Sequence, residues 1–215
     1  MPLLDEKTRE QVSAELDGLE KPVKLIMFTQ EFECQFCKET HQLCEEIAEL
    51  SEHISFEVYD LIEDKEQAEA YNIDKIPAIA VVGAEDYGVR FYGIPSGYEF
   101  MSLLDSLKTV SAGEVELMPE TRAFLENLEE PVHIQVFVTP TCPYCPQAVI
   151  LGHHLAIASD KVTSDMVEAT EFPHLSQKYS VMGVPRSVIN ETVHQEGAAP
   201  EPMFLERVKE AVAEG

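Results

Sequence analysis

Four of the five cysteines in this chain stand in two pairs of equal spacing. Cys34 and Cys37 lie in EFECQFCKETHQL (residues 31–43), and Cys142 and Cys145 lie in TPTCPYCPQAV (residues 139–149). Thiols two residues apart can hold a metal, close a structural staple, or open and close as a redox pair. Zinc ribbons keep their two pairs about 15 to 20 residues apart, whereas 104 residues lie between Cys37 and Cys142. A staple across so short a loop removes little entropy from the unfolded chain. The redox reading fits best: a thiolate attacks a disulfide sulfur, and a second thiol displaces the resulting mixed disulfide. Cys34 and Cys142 are read as the nucleophiles, with Cys37 and Cys145 resolving.

The elements that position these thiols are repeated. Cys34 and Cys142 are 108 residues apart, and so are Ile76-Pro77 and Val184-Pro185. Tyr71 and Tyr179 each stand six residues before that proline, and the apolar runs VKLIMF and VHIQVF lead into the two pairs. Four landmarks in one register indicate two copies of one unit, read as residues 1–117 with CQFC and 118–215 with CPYC, joined around 111–119. In each copy a β-rich apolar run precedes the cysteines, and helical spacing follows over 38–52 and 146–159. Second strands are expected at 54–60 and 161–169, short helices at 64–73 and 172–181, and third strands at 78–83 and 186–191. Each third strand leads through a turn to Gly93 or Gly197, and amphipathic helices over 97–112 and 200–215 close the copies. The first copy carries an additional amphipathic helix at 3–19. The order β–α–β–α–β–β–α calls for an α/β fold with a mixed sheet covered by helices on both faces.

A strand, a tight turn and a CxxC opening a helix would put the first cysteine at the helix N-cap, where free N–H groups and the helix dipole favour a thiolate. Pro143 suits the first helical position and Pro146 the first turn. Glu31, Glu33 and Glu39 surround the first pair, whereas no acid occurs from Val136 to Leu155 around the second. Like charges disfavour a thiolate, so Cys142 is expected to titrate below Cys34. A proline opening a strand at a repeated place suggests a cis peptide at Pro77 and Pro185, although most X–Pro bonds are trans. Such a bend would leave backbone groups of Ile76 and Val184 free to pair with an extended substrate. Asp60 and Glu168 follow the second strands; helix capping is their expected task, with proton transfer as the alternative. Cys44 falls on an apolar helix side as a core thiol. Of His153 and His154, one is expected to face solvent, and neither has a ligand partner at local spacing.

Forty acidic residues against fifteen basic ones give a formal charge of −25, spread along the chain. Clustered Lys and Arg are absent, which argues against nucleic acid and anionic membrane surfaces as partners. No apolar run reaches membrane-spanning length, and MPLLDEKTREQVSAELDGLE lacks the basic start and apolar stretch of a signal peptide. The expected location is the cytoplasm, where paired cysteines point to redox or metal chemistry rather than stapling.

The strand–CxxC–helix unit with Ile76-Pro77 or Val184-Pro185 downstream resembles the thioredoxin fold. Two such units, each with an intact CxxC, resemble the glutaredoxin-like protein disulfide oxidoreductases of archaea and some thermophilic bacteria. The likeness is strongest in CPYCPQAV, DMVEATEFPHLSQKYSVMGVPRSVI and PEPMFLERV. It implies two thioredoxin-like units with joined sheets, Cys34, Cys37, Cys142 and Cys145 as redox cysteines, and Pro77 and Pro185 as cis prolines. It also implies action on protein disulfides, with no bound cofactor and with electrons from NADPH through a flavoprotein of the thioredoxin-reductase type. Two glutaredoxin features differ: Thr139-Pro140-Thr141 replaces the usual lysine before CPYC, and EGAAPEP replaces the Gly-Gly-Asp glutathione segment. A doubled thioredoxin-like module fused to peroxide-reductase flavoproteins also resembles this chain, but its first unit generally lacks the CxxC. Two functions therefore stay open: a general dithiol–disulfide oxidoreductase that reduces, forms or isomerises disulfides, and a dedicated electron relay for a partner such as a peroxiredoxin.

Overall fold

A computed structural model describes residues 2–30 and 32–214. The first half contains α1 (Glu6–Leu16), β1 (Val23–Thr29), α2 (Cys37–Ala48), β2 (Ile54–Asp60), α3 (Lys65–Ala70), β3 (Ala78–Val82), β4 (Val89–Tyr92) and α4 (Phe100–Ala112), the last preceded by a 3-10 turn at Gly97–Glu99. The second half contains α5 (Pro119–Glu126), β5 (Val132–Val138), α6 (Cys145–Ala158), β6 (Val162–Glu168), α7 (Pro173–Lys178), β7 (Arg186–Ile189), β8 (Val193–Glu196) and α8 (Glu201–Glu214). The eight strands form one mixed sheet in the order β2-β1-β3-β4-β6-β5-β7-β8. The expected two units with joined sheets are thus present, and the join is the parallel pairing of β4 with β6.

Side chains alternate between the two faces of the sheet along each strand, and both faces are buried, dividing the core in two. Leu25, Val81, Phe91, Ile134, Val136 and Met166 lie in one cluster with apolar residues of α1, α2, α4, α5, α6 and α8. Ile26, Phe28, Ala80, Tyr92, Phe137 and Val167 lie in a second cluster with residues from the segments around α3 and α7. Both CxxC helices are therefore on the same face. Gly152 lets α6 approach the sheet closely, since a Cβ there would come within 2.5 Å of Ser164 Oγ on β6.

The sequence pattern places an additional N-terminal helix only in the first unit, but the second has one too. Pro119 sits in the first turn of α5, where it needs no N–H partner. Thr121 and Leu125 are buried on this helix, and Leu128 is buried just beyond it. Only two turns long, α5 shows too little periodicity to stand out from a linker. In α1, Asp5 accepts the Thr8 N–H at 2.7 Å as N-cap, while Val12 and Leu16 are buried.

The join itself is polar. Arg90 and Asp165 are partners in the β4–β6 register, and both are buried. Arg90 forms an ion pair with Asp86 at 2.6 Å and donates to Tyr71 O, while Asp165 meets His133 Nε2 at 2.7 Å. Burial opposes the Arg90 charge, but Asp86 and Asp165 hold its pKa above the ordinary value. On the other face of the join, His153 is buried, with Nδ1 3.0 Å from Ser106 Oγ and Nε2 3.3 Å from Arg90 O. Burial lowers its pKa to about 4, so the ring is neutral at pH 7. His154 is the half-buried member of the two and meets Asp105 at 3.0 Å, a carboxylate from the first unit that no local spacing could reveal.

Candidate redox sites

β1 and β5 point the same way, because β1 runs antiparallel to β3, β3 antiparallel to β4, and β4, β6 and β5 are parallel. The two CxxC segments therefore leave the same edge of the sheet, four strand positions apart. At about 4.8 Å per strand this is roughly 19 Å along a flat sheet. Cys34 is disulfide-bonded to Cys37 and Cys142 to Cys145, each with a Cα–Cα distance of 5.5 Å.

The helices start later than the motif alone suggests. Cys37 and Cys145 are the first residues of α2 and α6, with Phe36 and Tyr144 at the N-caps. Cys34 and Cys142 lie ahead of the helices, and Pro143 also precedes its helix, while Pro146 is in the first turn. For α6 the reason is a β-turn: Cys142 N–H donates to Thr139 O at 3.1 Å with Pro140 at the second position. That turn uses Thr139–Cys142 to reverse the chain, and the helix begins only after the next two residues. The disulfide still holds the first cysteine against the helix N-terminus, where unpaired N–H groups can stabilise a thiolate.

Exposure separates the two members of each pair. In the second site Cys142 is 8% exposed and Cys145 fully buried; in the first, Cys34 is half-buried and Cys37 buried. Tyr144 and Phe32 stand out into solvent beside the two sites. The Ile76-Pro77 and Val184-Pro185 bonds are both cis. Phe28 pairs with Ala78 and Phe137 with Arg186, which sets each proline beside the end of the strand leading to its CxxC. Ile76 and Val184 fall outside those ladders. The carbonyls of the prolines are used internally, accepting from Gly93 N and Gly197 N at 2.9 and 2.8 Å. The first site opens on a cleft of about 920 Å³ lined by Cys34, Cys37, Arg9, Lys38, His41 and Glu45 among others. Beside the second, Met182, Val184 and Pro185 border a hollow of about 340 Å³.

The acids are distributed less simply than local spacing suggests. Glu33 is exposed, Glu39 is half-buried with Oε2 unpaired, and Glu31 lies outside the described residues. Two further acids lie on segments near the join: Glu99 follows Tyr98, whose N–H reaches Pro140 O, and Glu171 lies in the turn after β6. Glu99 is 1% exposed, accepts from Ser102 Oγ at 2.7 Å, and keeps Oε1 unpaired. Glu171 accepts from Ile94 N at 2.8 Å. Burial pushes each of these carboxyls up to about 7. Glu168 Oε2 accepts from Thr170 N, Thr170 Oγ1 and Glu171 N, and Asp60 Oδ1 accepts from Ile62 N and Glu63 N. Both residues thus close the turns right after their strands and do not cap the helices, contrary to expectation: α3 and α7 start several residues later, with Asp64 and Phe172 at their N-caps. Cys44 is a fully buried free thiol whose pKa burial raises to about 12, in line with a core role. Among the described residues no group of three or more His, Cys, Asp or Glu is placed to hold a metal, and no helix is long and apolar enough to cross a membrane.

Comparison with known proteins adds to this geometry. The thioredoxin domain family matches residues 132–210. A protein disulfide oxidoreductase from Aeropyrum pernix superposes with a TM-score of 0.92 at 31% identity, over 99% of this chain and 96% of that one. A structure of the alkylhydroperoxide reductase component AhpF from Enterococcus faecalis superposes with a TM-score of 0.88 at 26% identity, over 95% and 99% of the two chains. The corresponding alkyl hydroperoxide reductase component of Staphylococcus epidermidis is 30% identical over 148 residues, 68% of this chain. The present chain spans only about a quarter of that relative's length, 26%. Two thioredoxin units in one sheet, each with a CxxC and a cis proline, and the near-complete match to the Aeropyrum protein identify this chain as a dithiol–disulfide oxidoreductase of the protein disulfide oxidoreductase family.

Proposed function

We propose that the chain exchanges electrons with protein disulfides at both CxxC pairs, with Cys34 and Cys142 as nucleophiles and Cys37 and Cys145 as resolving thiols. The observation that carries this reading is the graded exposure of each pair beside a cis proline. In the reducing direction the Cys142 thiolate attacks one sulfur of a substrate disulfide, and the other sulfur leaves as a thiolate. Cys145 then loses its proton and attacks Cys142, the mixed disulfide breaks, and the second substrate sulfur leaves. Two electrons have passed to the substrate and the Cys142–Cys145 bond has formed. The backbones of Ile76 and Val184, outside the strand ladders, pair with an extended substrate segment beside the sulfurs.

In this reading the oxidised pair is restored by a thioredoxin-reductase-like flavoprotein drawing on NADPH, with the protein in the cytoplasm. A dedicated relay to a peroxiredoxin is the second reading, favoured by the likeness to the alkyl hydroperoxide reductase components. The boundary between the units is placed at 117/118, in the segment between α4 and α5. Trapping tests the assignment of roles: Cys145→Ser and Cys37→Ser, presented with a disulfide-containing protein, should each accumulate a mixed disulfide at the remaining nucleophile that dithiothreitol releases. Accumulation on Cys37 or Cys145 in the reciprocal Cys34→Ser and Cys142→Ser variants, and not in the first two, would reverse the roles.

A further inference from the structure

The two CxxC turns are held by different means. Pro140 and Phe32 occupy matching places, each two residues before the first cysteine of its pair. Phe32 O accepts from the Gln30 side chain of its own unit. Pro140 O accepts instead from the backbone N–H of Tyr98, 3.0 Å away and in the first unit. Pro140 belongs to the β-turn that Cys142 N–H closes onto Thr139 O, so this hydrogen bond reaches the turn that carries the nucleophile.

The contact requires glycine. Gly97 has φ +60, and a Cβ there would lie 2.2 Å from Pro140 O and 3.1 Å from Pro140 Cβ. No side chain fits unless the loop and the turn separate. The 3-10 turn Gly97–Glu99 also packs on α6. Further along, Ser106 meets His153, and Asp105 meets His154. α4 and α6 thus run the same way from a shared starting point beside the second redox pair. Gly93, where the loop leaves β4, packs against Glu168 and Glu171, the turn after β6.

We propose that the second redox site is composite: Gly97 and Tyr98 of the first unit are positioning residues that fix the Thr139–Cys142 turn and thereby set the exchange equilibrium of the Cys142–Cys145 pair. The inference deepens the redox reading above and rests on it. Reduction of the pair breaks its S–S bond, adds two electrons and two protons from a dithiol, and frees Cys142 to move relative to Cys145. A turn anchored to a neighbouring unit resists that movement differently in the two states. At the first pair the carbonyl in the matching place, Phe32 O, accepts from Gln30 of its own unit, and no such dependence is expected there.

Linkage gives a test in the otherwise native chain. If the Tyr98–Pro140 contact biases the pair, the redox state of the pair must equally bias the contact. Hydrogen exchange at the Tyr98 amide is measured with the second pair oxidised and reduced, in the full chain carrying Cys34→Ser and Cys37→Ser. The expected change in protection is about fivefold, the worth of one net backbone hydrogen bond. Gly97→Ala is expected to shift the dithiothreitol exchange equilibrium of the second pair by a similar factor, while the first pair, measured with Cys142→Ser and Cys145→Ser, stays unchanged. Should Gly97→Ala fail to fold, the exchange measurement decides alone. Equal Tyr98 protection in both redox states overturns the proposal. If the second pair does not exchange with dithiothreitol at all, it is the redox reading that fails.

Discussion

Arg90 and Asp165 are register partners across the one pair of strands, β4 and β6, that joins the two thioredoxin units, and both are buried there. Their charges are satisfied on both sides, Arg90 by Asp86 and Tyr71 O and Asp165 by His133. Removing Arg90 would leave the Asp86 carboxylate and the Tyr71 carbonyl without their donor at the join.

Arg90→Met is therefore expected to destabilise the whole protein rather than one unit, by about 1.5 to 3 kcal/mol. Urea unfolding followed by far-UV circular dichroism checks this. A loss below about 1 kcal/mol would show that the charges at the join carry little of its stability.

Glu99 has an ordinary pKa of 4.5 that burial raises to about 7. A raised carboxyl pKa means the folded state binds the proton more tightly than the unfolded one. Its contribution is fully present below about pH 4.5 and is lost as pH rises through about 7. Glu99→Gln, neutral at every pH, should raise Tm at pH 8, by the equivalent of about 2 to 3 kcal/mol, and leave Tm near pH 4 almost unchanged. An equal change at both pH values would contradict burial of an ionisable Glu99.

Much of this arrangement is legible in the sequence, and the limits have physical causes. The 108-residue register of cysteine, tyrosine and proline reveals the duplication, and both marked prolines are cis. Each expected strand exists, although the third strand of the second unit ends at Ile189, because Asn190 and Glu191 take positive φ in a turn. What local patterns do not reveal is contact at long range. Glu99 precedes Cys142 by more than forty residues, and the β4–β6 pairing carries its loop to the second site. The β-turn at Thr139–Cys142 moves the helix start from the first cysteine to the second, because the chain must finish reversing before the helix can begin.

The thiols should differ in reactivity. Glu33 and Glu39 flank the first pair, while Glu99, held near pKa 7 by burial, is largely uncharged at pH 6. In the reduced protein Cys142 is expected to be alkylated by iodoacetamide at lower pH than Cys34, as read by mass spectrometry of the labelled peptides. The reverse order would show that the exposed and half-buried acids of the first site do not govern its thiolate.

The N-terminal helix offers a smaller check on local physics. Asp5→Ala removes the acceptor for Thr8 N–H and should cost about 1 kcal/mol in urea unfolding. The insulin-reducing activity should be unaffected. A change in activity without one in stability would mean that α1 takes part in the chemistry of the adjoining cleft.

The most direct test of the central claim is reduction of insulin disulfides by the wild type, Cys34→Ser and Cys142→Ser, each with dithiothreitol as donor. The expected result is turnover by the wild type and slower residual turnover in both variants, with the larger drop in Cys142→Ser. If the wild type fails to reduce insulin while both CxxC pairs still cycle with dithiothreitol, a general disulfide reductase is contradicted and the relay to a single partner takes its place.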